Sequence, residues 1–172
     1  VTAATALIVR VQLPRRLETI RRRAVPDSDL GIPAHITMMY PFVPPGALDT
    51  ALREKIAAVT AAHAPISYRI AGPAQWPDTL YASVAPEAPF HNLQADLAAA
   101  FPAYPLYGGA FDFVPHVTIA DGEPRSWASL AHDPAWAALP ASRTARSVEL
   151  IVQTPDGWRV KCRFLLRQPT PQ

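Results

Sequence analysis

Two short segments of this 172-residue chain repeat one pattern, His-apolar-Thr-apolar: His35-Ile36-Thr37-Met38 and His116-Val117-Thr118-Ile119. Imidazole, with an ordinary pKa of about 6.5, is the side chain best suited to giving and taking protons near neutral pH. A threonine hydroxyl donates a hydrogen bond without carrying charge. Two of each around one point supply an acid, a base and two neutral donors. That set suits the opening of a phosphate ester. A base activates water on one face of phosphorus, an acid protonates the oxygen leaving from the other, and hydroxyls hold the non-bridging oxygens.

Convergence of the four groups depends on the elements that carry them. Each motif is an apolar run with β-branched residues, and a proline, Pro33 or Pro115, stands just before it. Both therefore read as buried strands. Alternation puts His35 and Thr37 on one face, roughly 7 Å apart, and does the same for His116 and Thr118. An earlier strand, from Thr5 to Gln12, has Leu7, Val9 and Val11 on one face and Ile8, Arg10 and Gln12 on the other. An arginine in so apolar a strand marks an edge or a polar site, and Arg10 is taken as a candidate substrate contact.

The remaining elements repeat in a recognisable order. Pro14 opens a helix to about Arg23, whose arginines at 15, 16, 21, 22 and 23 read as a solvated basic face. Asp49 caps a second helix ending near His63, read as structural. Ile66–Ala85 forms a hairpin, and a helix follows from Ala88 to Phe101, with His91 exposed in its first turn. Pro102–Pro115 is a loop rich in aromatics, open to reading as a binding loop or a crossover. After the second motif comes a helical segment from Asp121 to about Leu139. A final hairpin turns at Pro155-Asp156-Gly157; it sets Trp158, Val160, Cys162, Phe164 and Leu166 on one face and Arg159, Lys161, Arg163 and Arg167 on the other. Strand, helix, motif strand, helix and hairpin thus occur twice. The expectation is an α+β fold, bilobal and duplicated, with antiparallel sheets lining a central groove and helices outside.

Composition narrows the class further. Apolar residues make up 49% of the chain, enough for a core over residues 1–172 read as a single two-lobed domain. One cysteine, Cys162, excludes an internal disulfide and a cysteine-based metal site. No charged-then-apolar leader and no membrane-length run are visible, so the expectation is a soluble cytoplasmic protein with no membrane role and no obligate protein partner. A net charge of +2 is too small to argue nucleic-acid binding.

In context, His35-Ile36-Thr37-Met38-Met39-Tyr40-Pro41-Phe42-Val43-Pro44 and Val114-Pro115-His116-Val117-Thr118-Ile119-Ala120 resemble the two-histidine phosphoesterase superfamily, in its 2′-5′ RNA ligase-like branch. The resemblance runs from the first strand to the last hairpin. It implies cleavage of 2′,3′-cyclic or related phosphodiesters without metal or other cofactor, His35 and His116 acting as acid and base and Thr37 and Thr118 holding phosphate. The implied partner is a nucleotide or an RNA end carrying a cyclic phosphate. Tyr40, Phe42, Tyr81 and Trp76 are the candidate rings for base stacking. Alternatives are a hydrolase of a cyclic di- or oligonucleotide or specialised metabolite, and a non-catalytic RNA- or nucleotide-binding module. A metal site is disfavoured because neither motif strand brings an Asp or Glu to complete a ligand set. A rate that falls on both sides of roughly pH 6–7.5 is the expected signature.

Overall fold

Alternation decides which way each strand faces, and in this chain it divides core from cleft. The computed structural model describes residues 4–167. In one sheet β1 (Thr5–Arg10) lies between β2 (His35–Met39) and β7 (Ser147–Thr154), and β8 (Gly157–Leu165) forms the outer edge. In the other, β4 (Thr79–Ala85) lies between β5 (His116–Asp121) and β3 (Ile66–Trp76), with β6 (Ala141–Ala145) outermost. Every pairing is antiparallel. Motif strands β2 and β5 occupy equivalent inner edges and lie against each other where the sheets meet.

The helices interlock the halves. α1 (Arg15–Ala24) follows β1 but packs on β5, and α3 (Ala88–Ala100) follows β4 but packs on β2. α2 (Thr50–Ala61), capped by Asp49 through a 2.8 Å bond from the Leu52 amide, lies against α3 and β8. Ile36, Met38, Val117 and Ile119 are fully buried in one core with Leu17, Ile56, Phe90, Leu93 and Leu97. Burying each such side chain is worth roughly 1.5–3 kcal/mol. A one-residue slip of either motif strand would send its His and Thr into that core instead, so the apolar positions fix the register that exposes the polar ones. The architecture is α+β and bilobal, with two antiparallel sheets lining a cleft and helices outside, as the sequence predicts.

Several local expectations need correction. β6 is a strand that the sequence reading lacks, five residues long and polar on one face. The helical segment after Asp121 is one turn, α4 (Pro124–Trp127), followed by two 3₁₀ turns over Ala128–His132 and Pro134–Ala138. In the closing hairpin a bulge pairs Leu150 with Cys162 but Ile151 with Val160. That extra residue reverses the alternation. Phe164, Leu166 and Cys162 join the main core, whereas Trp158 packs with Ala6, Ile8 and Ile151 on the other face. The expected basic stripe is accordingly split, and Arg163 stands opposite Glu149. Gly157, at φ +110°, lies so near the Leu30 carbonyl that a Cβ there would clash with backbone, which accounts for glycine in this turn. His63 ties α2 to α3 through Asp96 at 2.8 Å, a structural role as expected.

Candidate active site

The same-face rule holds for both motifs. His35 is the register partner of Arg10, and His116 that of Ser83; their apolar neighbours point into the core. In each ring Nδ1 donates to the backbone carbonyl two residues earlier, Pro33 at 2.7 Å and Val114 at 2.6 Å. A carbonyl only accepts, so the neutral tautomer of both rings carries its proton on Nδ1 and has its lone pair on Nε2. The Nε2 of His35 accepts from the Thr37 hydroxyl at 3.1 Å. In both motifs the acceptor is the carbonyl two residues before the histidine, although the proline stands at that position in one (Pro33) and one residue later in the other (Pro115).

The seat of His35 has a support that sequence reasoning missed. Arg21, read as part of a solvated face, is 2% exposed, and its guanidinium donates to the Ile32 carbonyl at 2.8 Å while pairing with Glu18 at 3.3 Å. It therefore anchors the segment whose next carbonyl orients the imidazole. Burial lowers its pKa, against the opposing pull of Glu18.

Electrostatics differ between the two imidazoles. Burial pushes His35 down to about 4; the Pro33 hydrogen bond acts in the opposite sense, and the charges of Arg21, His116 and Arg10 push the same way as burial. Burial also lowers His116, again opposed by its carbonyl bond. A charge on His116 counts against protonation of His35, though less than burial does. His35 is the harder of the two to charge.

Of the predicted aromatic residues, three stand at the cleft. Trp76 and Tyr81 pack against His116 with ring centroids 4.7 and 5.4 Å away, and 4.2 Å from each other. Tyr81 is also the register partner of Thr118. Tyr40 lies beyond Thr37, edge-on to Tyr107 and tilted on Trp158. Phe42 does not belong to this group. It is 5% exposed and packs in the core against Phe101 and Tyr104 at 5.2 and 5.7 Å. It follows the end of β2, where alternation no longer governs direction.

Tyr107 is a site neighbour that the sequence left among loop aromatics. Its backbone is left-handed, its amide bonds the Tyr40 carbonyl at 2.6 Å, and its phenol lies close enough to the Thr37 hydroxyl to be influenced by it. Burial raises its pKa and that of Tyr81, so both phenols stay protonated donors. Arg10 reaches the cleft beside His35, but its guanidinium is paired with Glu149 at 3.0 Å. Among the described residues, no three His, Cys, Asp or Glu side chains gather where they would share a cation, and no helix is long and apolar enough to cross a membrane.

The arrangement has counterparts among solved structures. The chain is similar to TT0787 of Thermus thermophilus, at 17% identity and a TM-score of 0.63 over 95% of this chain and 98% of that one. It is also similar to E. coli LigT complexed with 3′-AMP, at 14% and 0.58 over 96% and 98% respectively. A third, described as a phosphoesterase, gives 14% and 0.58 over 98% of this chain and all of the other, 100%. At such identities the likeness is one of fold. No curated protein matches the chain. The family match is one of sequence: it runs over residues 9–157 and takes in both motif strands, α1, α2, α3 and the whole second sheet. With the duplicated fold and both motifs at equivalent places, the chain belongs to the 2′-5′ RNA ligase superfamily of two-histidine phosphoesterases.

Proposed function

We propose that the protein is a metal-independent phosphodiesterase that opens a 2′,3′-cyclic phosphate, or a related phosphodiester, on a nucleotide or RNA end. The observation that carries this reading is the matched seating of His35 and His116, each with Nδ1 tied to a backbone carbonyl, which leaves Nε2 as the working nitrogen. At His35 the Thr37 hydroxyl, which bonds Nε2 in the free protein, turns from it to the phosphate when substrate binds. His35, the harder to protonate, is the base: its Nε2 takes a proton from water as the water oxygen bonds to phosphorus. His116 is the acid: its Nε2–H gives a proton to the ribose oxygen as the P–O bond breaks. The product is a phosphomonoester, and the two protons balance. Thr37 and Thr118 donate to the non-bridging oxygens, where charge builds in the transition state. A base stacks on the Trp76–Tyr81 side. That E. coli LigT is complexed with 3′-AMP supports a nucleotide ligand on this fold.

The shifted imidazoles set the pH dependence. Activity of the free enzyme falls below His35's pKa of about 4, where the base is protonated, and again above the lowered pKa of His116, where the acid is lost. The bell in kcat/KM should therefore sit between about 4 and 6.5, lower than unperturbed histidines predict. A bound phosphate anion raises both pKa values, so the kcat profile should lie at higher pH. Rates on a 2′,3′-cyclic nucleotide across pH 3–8, with and without chelator, check this. Chelator should leave the rate unchanged; a rate abolished by chelator and restored by a divalent ion would defeat the metal-independent reading.

Stacking makes a further prediction. Tyr81→Ala and Trp76→Ala should each raise KM for nucleotide substrates roughly ten- to a hundredfold, the effect of losing about 1–3 kcal/mol of base stacking. Steady-state kinetics on folded variants measure it, and an unchanged KM removes that ring from the site.

A further inference from the structure

Beside the histidines along the strands lies an open stretch of about 1050 Å³, lined by none of the four motif side chains but by Arg10, the register partner of His35, and by Ala85, two residues past the register partner of His116. Five arginines line it, Arg10, Arg69, Arg143, Arg146 and Arg163, against one carboxylate, Glu149. Glu149 is 2% exposed and holds two of them at once: Arg10 at 3.0 Å and Arg163 at 2.7 Å, whose side chains stay 48% and 58% exposed. Hydrogen bonds from both guanidiniums outweigh the upward push of burial and keep Glu149 ionised below the usual carboxylate range. It works as a bracket that fixes two cationic heads at the cleft wall. Arg143 is occupied with the Gln12 and Ser142 carbonyls. Arg69 and Arg146 have no carboxylate partner among the described residues, and both are exposed.

Position along the strands gives this charge a meaning. On the cleft face of β4 the order of register rows is Thr79 with Trp76, Tyr81 with Thr118, Ser83 with His116, then Ala85 with Arg69. Successive rows on one face are about 7 Å apart. The aromatic rings therefore lie on one side of the reacting centre, and Arg69 one row beyond it on the other. The hydroxyls of Ser67, Ser142 and Thr144 also line this end, which offers no stacked rings comparable to Trp76 and Tyr81. Guanidiniums with hydroxyls and no stacking platform are the chemistry of phosphate recognition.

Resting on the function proposed above, we propose that this stretch is a subsite for a second, non-reacting phosphate of the same substrate. The 5′-phosphate of the nucleotide whose cyclic phosphate lies between the histidines reaches one row along the cleft. The preferred substrate thus carries a phosphate or phosphodiester at its 5′ position.

Three substrates with the same reacting ring test the assignment: a nucleoside 2′,3′-cyclic phosphate, its 5′-phosphorylated form, and a short oligonucleotide ending in the cyclic phosphate. Wild type should favour the second over the first by about tenfold or more in kcat/KM, as one charge-assisted contact provides. Arg69→Gln, and separately Arg146→Gln, should shrink that ratio. A further gain with the oligonucleotide identifies the source as an RNA chain, and equal rates identify a 5′-phosphorylated nucleotide. Turnover of all three with no preference, or a preference that neither variant reduces, overturns the subsite while leaving the catalytic reading intact. If no substrate is turned over, the catalytic reading fails and the subsite is judged by calorimetry. A nucleoside 3′,5′-bisphosphate should then bind wild type more tightly than a 3′-monophosphate, and Arg69→Gln should erase the difference; equal affinities overturn it.

Discussion

Replacing His35 or His116 by alanine is expected to lower kcat on a 2′,3′-cyclic nucleotide by about 10²–10⁴-fold in each case, with the fold intact. The rings act in one transfer, so the double variant should be little worse than either single one, far short of the product of the two losses. The roles assigned to them make a sharper distinction. A phosphodiester with a phenolic leaving group of low pKa needs no protonation as it departs. Such a substrate should restore much of the rate in His116→Ala, the variant lacking the acid, and little in His35→Ala, the variant lacking the base. Equal rescue of both would reverse or void the assignment. Near wild-type turnover by both single variants would leave a binding module in place of an enzyme.

The second large effect is expected from the threonines. Valine keeps the branched shape that suits a strand and removes only the hydroxyl donor. Thr118→Val should lower kcat by about 10²–10³-fold, the usual loss when one donor to a developing oxyanion is removed. Thr37→Val should lose as much and more, because that hydroxyl also bonds His35 Nε2 and lies beside the Tyr107 phenol. Tyr107→Phe isolates the last of these contacts and should cost less than Thr37→Val. Single-turnover rates separate the losses from product release. A change confined to KM would mean that the hydroxyls bind substrate and transition state equally.

What the sequence revealed and what it withheld have physical reasons. A strand of alternating burial announces both faces at once, so Ile36 and Met38 in the core dictated that His35 and Thr37 face the cleft. The same logic read β1, the β3–β4 hairpin and β5 correctly. It failed where periodicity is interrupted. The bulge at Leu150–Ile151 carried Trp158 to the opposite face from Phe164, and no residue type at the bulge marks it. β6 escaped because Ser142, Arg143 and Thr144 resemble a loop; on an edge strand they need cover only one face. Phe42 was misplaced because an aromatic beyond a strand end carries no directional signal. Arg21 looked like one of several surface arginines, and only tertiary packing sets it beneath Ile32. Glu149 did leave a trace, as the one carboxylate within the apolar run Val148–Val152. A lone charge in such a run requires a partner, and two arginines from neighbouring strands supply it.

The account turns on water attacking phosphorus in line between two imidazoles that have separate tasks. Its most direct test is turnover of a nucleoside 2′,3′-cyclic phosphate in ¹⁸O-labelled water with chelator present, followed by ³¹P NMR. The account predicts one phosphomonoester isomer, because the acid serves one ribose oxygen only. It also predicts a single ¹⁸O on phosphorus and at most about a hundredth of the product from His35→Ala or His116→Ala on the same timescale. A mixture of both isomers, label absent from the phosphate, or undiminished product formation by the two variants would contradict it.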